Sequence, residues 1–185
     1  MEHAHLNACV GNNGGPYDLY DYAHGYFQAA QALLAESRKP GAIIDILVYP
    51  ACLTFRHAVE LFLKYLVTEL ARLAETDDIF TKNHRLSKNW ETAKRLLAKT
   101  KFPASAVQIA TLDTVVKALE DIDPRGETFR YPESFKNEQH LAEWSLINLV
   151  LLDQRREETF GVCHDWHGSL EAMLEEQREW RAGRG

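Results

Sequence analysis

The sequence predicts an all-α protein, an up-and-down bundle of about five to six helices. Two observations favour this fold. Apolar side chains recur at three- and four-residue spacing in successive segments of the chain, as they do on one face of an amphipathic helix. No segment shows the strict alternation of a half-buried strand, and no repeat with a period of 20 to 50 residues is present.

The first two predicted helices form the long hairpin on which the bundle is built. The first covers residues 16–38, and Lys39-Pro40-Gly41 ends it. The second, over 49–74, is the longest and most apolar, so we expect it at the centre of the fold. Eight of its side chains share one broad face: Cys52, Phe55, Val59, Phe62, Leu63, Leu66, Leu70 and Leu73.

Four further helices are predicted from the remaining pattern. The third, over about 86–98, has one apolar and one basic face. The fourth starts at Pro103 or Ala104, where a proline in the first turn costs no hydrogen bond, and runs to Asp121. The fifth and sixth are expected over 138–158 and 164–180, with Gly161 between them.

The length of 185 residues is that of one domain. We expect a flexible leader over 1–15, the helical domain over 16–180 and a loose tail over 181–185. Three cysteines without CxxC spacing favour a reducing compartment. The N-terminus lacks the pattern of a signal peptide, and no uninterrupted apolar run is long enough to cross a bilayer. The sequence therefore predicts a cytoplasmic protein without membrane contact.

One segment departs from the acidic character of the chain, whose net charge is −6. Between Lys82 and Lys101 seven basic residues accompany one acidic residue, Glu91. Four of the basic side chains fall within a narrow arc of the third helix: Arg85, Lys88, Arg95 and Lys99. Basic residues on one helical face are typical of phosphate-binding surfaces, although a solvated face is the alternative, and no aromatic residues lie among them to stack on bases.

A second polar cluster lies on the second helix, where Arg56, Glu60 and Lys64 follow one another at four-residue spacing with His57 beside them. The simplest interpretation is a ladder of i,i+4 ion pairs. Apolar residues at nearly the same angle indicate instead a partly buried contact with another element. A ligand-binding or catalytic role is the third interpretation.

Three short motifs give this chain a family resemblance: FRHAVELFLK at 55–64, NHRL at 83–86 and FRYP at 129–132. In this order and spacing they resemble the HEPN superfamily of bacterial helical-bundle proteins. The resemblance implies a cytosolic, often dimeric helical domain from toxin-antitoxin, phage defence or related systems. Active members are metal-independent RNases with an Arg followed, after four to six residues, by a His.

No Arg in this chain has a His at that spacing. The main hypothesis is therefore a homodimeric module that binds RNA, a nucleotide or a partner protein without efficient RNA cleavage. A metal-independent RNase is the alternative, with His57, His84 or His164 acting beside Arg56, Arg130 or Arg156. A structural dimerising partner protein is the third class.

Two smaller predictions complete the site assignment. Cys163 and His167 have i,i+4 spacing, but only His3 and His5 are left to complete a metal site, so we expect neither a metal nor a cofactor. In DPRGETFRYP at 123–132 we expect an extended strip with Phe129 and Tyr131 on one side and Arg130 on the other. Arg130 is then predicted to reach the strip around Arg56 and His84 and to pair with Glu60.

Overall fold

Five α-helices make up the structure, a computed structural model that describes residues 6–184. They are α1 (Leu19–Glu36), α2 (Ile44–Leu73), α3 (Leu86–Thr100), α4 (Ala106–Ile122) and α5 (Leu149–Ala182), preceded by one short 3₁₀ turn at Gly11–Asn13. No β-strand is present within these residues; Glu133 and Gln139 form an isolated antiparallel bridge. The predicted all-α class is confirmed.

Helix α2 lies at the centre, as predicted, and packs against α1, α3 and α5. Helix α1 runs antiparallel to it, because Tyr20 at the start of α1 contacts Tyr65 late in α2 while Phe27 contacts Phe55. The core is continuous across all five helices and includes Trp166 of α5. Burial of such apolar surface is the main force that holds the bundle together.

Helix α2 begins at Ile44, five residues earlier than predicted, so that Pro50 lies inside it. A proline there removes one backbone donor, the one that would bond the carbonyl of Ile46. Ile46 is exposed, so water can satisfy that carbonyl, and the helix continues through the proline.

Side chains cap the N-termini of α3 and α4. The carboxylate of Glu120, in α4, accepts hydrogen bonds from the backbone N–H groups of Leu86 and Ser87 at the start of α3. An acidic group is favourable there because the helix N-terminus carries a partial positive charge. Helix α4 itself starts with a capping box between Ser105 and Gln108.

The prediction of separate fifth and sixth helices is wrong, because residues 149–182 form one continuous helix. It starts eleven residues later than predicted, where the Asn148 side chain accepts from the N–H groups of Val150 and Leu151. Gly161 does not break it. That residue is exposed with open space around it, while Val162 and Cys163 beside it are buried and hold the helix to the core.

By length and composition alone, α2 could cross a membrane. Half of its most apolar window is buried among the other helices, and the same helix carries the charged residues of the candidate site. A core helix of a bundle passes the same test, so cytoplasmic localisation stays a prediction.

The leader predicted over 1–15 lies partly outside the described residues, and His3 and His5 lie wholly outside them. At the other end, α5 continues to Ala182, two residues into the predicted tail.

Candidate functional site

The three motifs that carry the family resemblance meet at one cleft. The cleft has a volume of about 240 Å³, and we call it the Glu60 cleft. Its walls come from α1, α2, the segment before α3 and the loop after α4. The lining residues are Tyr26, Leu53, Thr54, Arg56, His57, Glu60, His84, Gly126 and Arg130.

Arg56 is the structural centre of this site. Its side chain is 2% exposed and donates in three directions: from Nη1 to Glu60 Oε2 (3.1 Å), from Nη2 to the carbonyl of His84 (2.7 Å) and from Nε to the carbonyl of Asp123 (3.0 Å). Nε also lies 3.1 Å from Asp123 Oδ2. One guanidinium thus connects α2 to the segment before α3 and to the loop after α4, which requires a group with several donors, as arginine has.

Glu60 is equally buried and accepts from three sides. Lys64 Nζ lies 2.7 Å from Oε1, so both predicted i,i+4 pairs of Glu60, with Arg56 and with Lys64, are present. His84 Nδ1 lies 3.0 Å from Oε1. His57 Nδ1, at 3.9 Å from Oε2, is at an ion-pair distance. The cluster therefore matches the inter-element contact and not a solvated ladder.

These neighbours decide the ionisation of Glu60. Burial alone would raise its pKa, but the nearby His57 and Lys64 side chains, and the charges of Lys64 and His84, outweigh burial and hold the pKa well below the ordinary value of 4.5. The His57 contact is electrostatic, since 3.9 Å is longer than a hydrogen bond. Glu60 is therefore a carboxylate at neutral pH.

Asp123 and Gly126 belong to the site, although the sequence indicated only a turn there. Asp123 is fully buried, and its Oδ1 accepts from the N–H groups of Glu127 and Thr128. Gly126 has a φ of +73° and lies against the guanidinium of Arg56. The Asp-Pro-x-Gly pattern at 123–126 was the available signal, but it did not reveal that the turn closes over a buried charge.

Arg130 lines the Glu60 cleft, as the loop hypothesis required. The predicted Arg130–Glu60 ion pair is wrong: within residues 6–184 Arg130 pairs with no carboxylate, because Arg56, Lys64 and His84 already surround Glu60. The guanidinium lies 5.8 Å from the ring centre of Tyr131 instead. The cation is exposed at the rim.

The predicted extended strip at 129–131 is also wrong. The N–H groups of Arg130 and Tyr131 both donate to the carbonyl of Glu127, which winds the chain into a turn. As a result Phe129 is buried whereas Tyr131 is exposed. The two rings do not share one side.

Two imidazoles lie at the rim of the cleft with Arg130. His57 and His84 are one-third and one-half exposed, and each directs Nδ1 toward Glu60. A histidine whose Nδ1–H donates to a carboxylate keeps Nε2 free to accept a proton. Tyr26 packs edge-on against His57 at a centroid distance of 4.5 Å, which fixes the ring. The rim thus offers one cation and two groups able to exchange protons.

The cationic face of α3 is only partly free. Arg95 pairs with Asp78 at 2.6 Å, an acid from the preceding loop that a helical projection does not show. Arg85, Lys88 and Lys99 are exposed and form no ion pair within the described part of the chain. None of the four lines the Glu60 cleft.

Arg156 and His164, the remaining catalytic candidates, are not brought together or to the cleft. Arg156 is buried and pairs with Asp153 at 2.8 Å, one turn earlier in α5. His164 is exposed, and its Nδ1 lies 3.0 Å from the Tyr20 hydroxyl. On one unbroken helix they are eight residues apart, or about 12 Å along the axis. Each of them has a partner outside the Glu60 cleft.

His167 also has a structural partner. Its Nδ1 lies 2.7 Å from the hydroxyl of Tyr65, and its ring stacks on Tyr20 at 3.6 Å. Burial is the main cause that raises the pKa of Tyr65 far above its ordinary value of 10.0. No group of three or more metal-ligating side chains occurs among residues 6–184.

Comparison of the chain with protein-family models, with curated proteins and with solved structures gave no match. The HEPN resemblance therefore stays an expectation that depends on the three motifs and their order. The geometry of the Glu60 cleft is what remains to indicate function.

Proposed function

We propose that this chain is a HEPN-like helical module that binds the phosphate of RNA or of a nucleotide at the Glu60 cleft, without efficient RNA cleavage. One observation carries the proposal: three motifs that are far apart in sequence converge on one cleft and present Arg130, His57 and His84 at its rim. The cytoplasmic setting and the toxin-antitoxin or defence role follow from the resemblance alone.

The charges of the cleft support an anionic ligand. Arg56 and Lys64 are paired with the carboxylates of Glu60 and Asp123, so the two cations and two anions cancel. Arg130 is then the charge in excess. A free guanidinium matches the geometry of a phosphate better than any other side chain, and an imidazole that carries a proton on Nε2 can add a further donor.

Fluorescence anisotropy with a short labelled single-stranded RNA tests this proposal. We expect Arg130→Ala to weaken binding about tenfold and to reduce the slope of log K against log salt by about one, because one phosphate contact is lost. Arg125→Ala is the matched control, since Arg125 is an exposed arginine of the same loop that does not line the cleft. Equal loss in both variants, or no loss in Arg130→Ala, contradicts the proposal.

The basic face of α3 gives this experiment a second arm. Arg85, Lys88 and Lys99 are available for the phosphates of a longer strand, whereas Arg95 is occupied by Asp78. Replacing the three with Glu is expected to weaken the binding of a long RNA more than that of a short one. If this variant abolishes binding of the short RNA and Arg130→Ala does not, the Glu60 cleft is not the phosphate site.

A second candidate, a metal-independent RNase, is favoured by the Glu60–His84 contact. The carboxylate orients the imidazole so that Nε2 can take the proton of a 2′-hydroxyl, whose oxygen then attacks phosphorus while the 5′-oxygen leaves. Arg130 would stabilise the charge on the phosphate. Incubation with RNA in EDTA tests it: RNA cleavage that His84→Ala abolishes supports an RNase, and intact RNA with the wild type excludes it.

The homodimer that the resemblance implies has one supporting feature. Six apolar side chains at the starts of α2 and α5 are at least half exposed: Ile43, Ile44, Ile46, Leu146, Val150 and Leu151. At roughly 100 Å² each the six offer roughly 600 Å², near the 800 Å² per partner of an ordinary interface. We propose that a second copy of the chain covers these side chains.

Light scattering tests the proposed homodimer. Ile46→Glu and Val150→Glu should give monomers, and a wild-type monomer contradicts the proposal.

A further inference from the structure

A second cleft, of about 630 Å³, adjoins the Glu60 cleft and shares Arg130 with it. Two tyrosines from different elements line it: Tyr49 from α2, and Tyr131 from the loop after α4. We call it the tyrosine cleft. Its other lining residues are Thr128, Phe129, Pro132, Glu133, Gln139, His140 and Leu141.

The two tyrosines are not used by the core. Tyr49 is 44% exposed and Tyr131 is 53% exposed, whereas Phe129 between the same walls is buried. Exposed aromatic rings are the usual platforms on which single-stranded nucleic acids stack their bases. The Arg130 guanidinium near the ring of Tyr131 joins this aromatic surface to the phosphate site.

The polar groups of the tyrosine cleft suit the edge of a base. Glu133 and Gln139 offer acceptors, and Gln139 also offers donors. His140 Nε2 is a buried atom without a hydrogen-bond partner in the described residues. Such an atom costs free energy until it is paired, and its residue lines the tyrosine cleft.

We propose that the tyrosine cleft is a subsite for a nucleobase, carried by a nucleoside phosphate whose phosphate lies in the Glu60 cleft. The inference depends on the proposed phosphate site, because Arg130 is the residue that connects the two clefts. A base can enter only if it is unstacked, so the ligand is a single strand or a free nucleotide, and not a duplex.

The experiment compares a short single-stranded RNA with the same strand carrying abasic positions, by anisotropy at constant salt. We expect the wild type to bind the base-bearing strand about tenfold more tightly, the effect of losing one stacked base. The double variant Tyr49→Leu, Tyr131→Leu should lose this preference and bind both strands alike. Tyr49→Phe, Tyr131→Phe should retain it, because the ring does the stacking.

Tyr22→Leu is the control, since Tyr22 is an exposed tyrosine of α1 that lines neither cleft. Equal wild-type affinity for base-bearing and abasic strands overturns the base subsite but leaves the phosphate site standing. Absence of binding to both strands overturns both. Competition by adenosine monophosphate, but not by ribose 5-phosphate, supports the subsite and shows that a free nucleotide fills it. If adenosine monophosphate does not displace the RNA, but the base-bearing strand still binds more tightly than the abasic one, the subsite is supported with RNA as its ligand.

Discussion

A Cβ atom placed on Gly126 would stand 3.0 Å from Nη1 of Arg56 and 3.3 Å from its Cζ. The loop after α4 can therefore close over the buried guanidinium only with glycine at this position. The same residue has a positive φ, which side chains rarely adopt. Both constraints explain why the loop that looked like an interruption between helices has this composition.

Gly126→Ala is expected to destabilise the protein by about 2 kcal/mol, since it combines a strained φ with a contact against a charge held by three partners. Gly161→Ala is the matched change in a helix interior with open space, and we expect it to stabilise by about 0.5 kcal/mol. Urea unfolding followed by circular dichroism measures both. An equal effect of the two substitutions is incompatible with the close approach described here.

Arg56→Met is expected to cost about 3 kcal/mol of unfolding free energy. It keeps most of the volume but leaves the buried carboxylate of Asp123 without its cation and removes one of the partners of Glu60, which keeps Lys64. Arg155→Met provides the comparison, because Arg155 pairs with Glu158 in solvent and such pairs contribute little. A cost below about 1 kcal/mol for Arg56→Met would show that the cluster relaxes without it.

The depressed pKa of Glu60 predicts a dependence of stability on acid. Because its pKa is lower in the folded state than the ordinary 4.5, the unfolded chain binds the proton first as the pH falls. The contribution of Glu60 to the free energy of unfolding is therefore complete above the ordinary pKa of 4.5 and decreases progressively as the pH falls below it. Glu60→Gln cannot titrate, so its unfolding free energy should fall less steeply between about pH 6 and about pH 3. Parallel curves of unfolding free energy against pH for the wild type and the variant would contradict the depressed pKa of Glu60.

The three cysteines are expected to react at very different rates with a thiol reagent. Burial raises the pKa of Cys52 to about 12 and that of Cys163 well above its ordinary value, whereas Cys9 is exposed. In the folded protein only Cys9 should be labelled within minutes, and Cys9→Ser should remove that fast phase. All three should react in denaturant, because thiolate formation and access limit the reaction. Fast labelling of a second thiol in the folded Cys9→Ser variant would contradict the packing of α2 or α5.

The fold class and the centre of the bundle could be predicted because helical periodicity is a local signal. The Glu60 pairs with Arg56 and Lys64 were predictable for the same reason, since i and i+4 are neighbours on any helix. Convergence of His84 and Arg130 on that cluster came from the order of motifs in the resemblance. Periodicity alone has no information about which loops cover a helix.

The predictions that were wrong depended on tertiary contacts. The break expected at Gly161 is absent because buried neighbours keep α5 in register with the core, which outweighs the low helix propensity of one glycine. The salt bridge expected between Arg130 and Glu60 is absent because other donors, including the His84 imidazole from another segment, already surround that carboxylate. Asp123 was not identified, since nothing local shows that a turn residue will be buried beside an arginine 67 positions earlier.

That separation of 67 residues has a consequence for how the protein is made. Closing so long a loop is slow compared with forming the helices on either side of it. During synthesis α2 leaves the ribosome well before Asp123, so Arg56 and Glu60 have only each other, Lys64, the segment around His84 and water until the turn at 123–126 arrives. The Glu60 cleft is thus a late product of folding, and a nascent or truncated chain that ends before this turn has α1 to α4 but not the complete cleft.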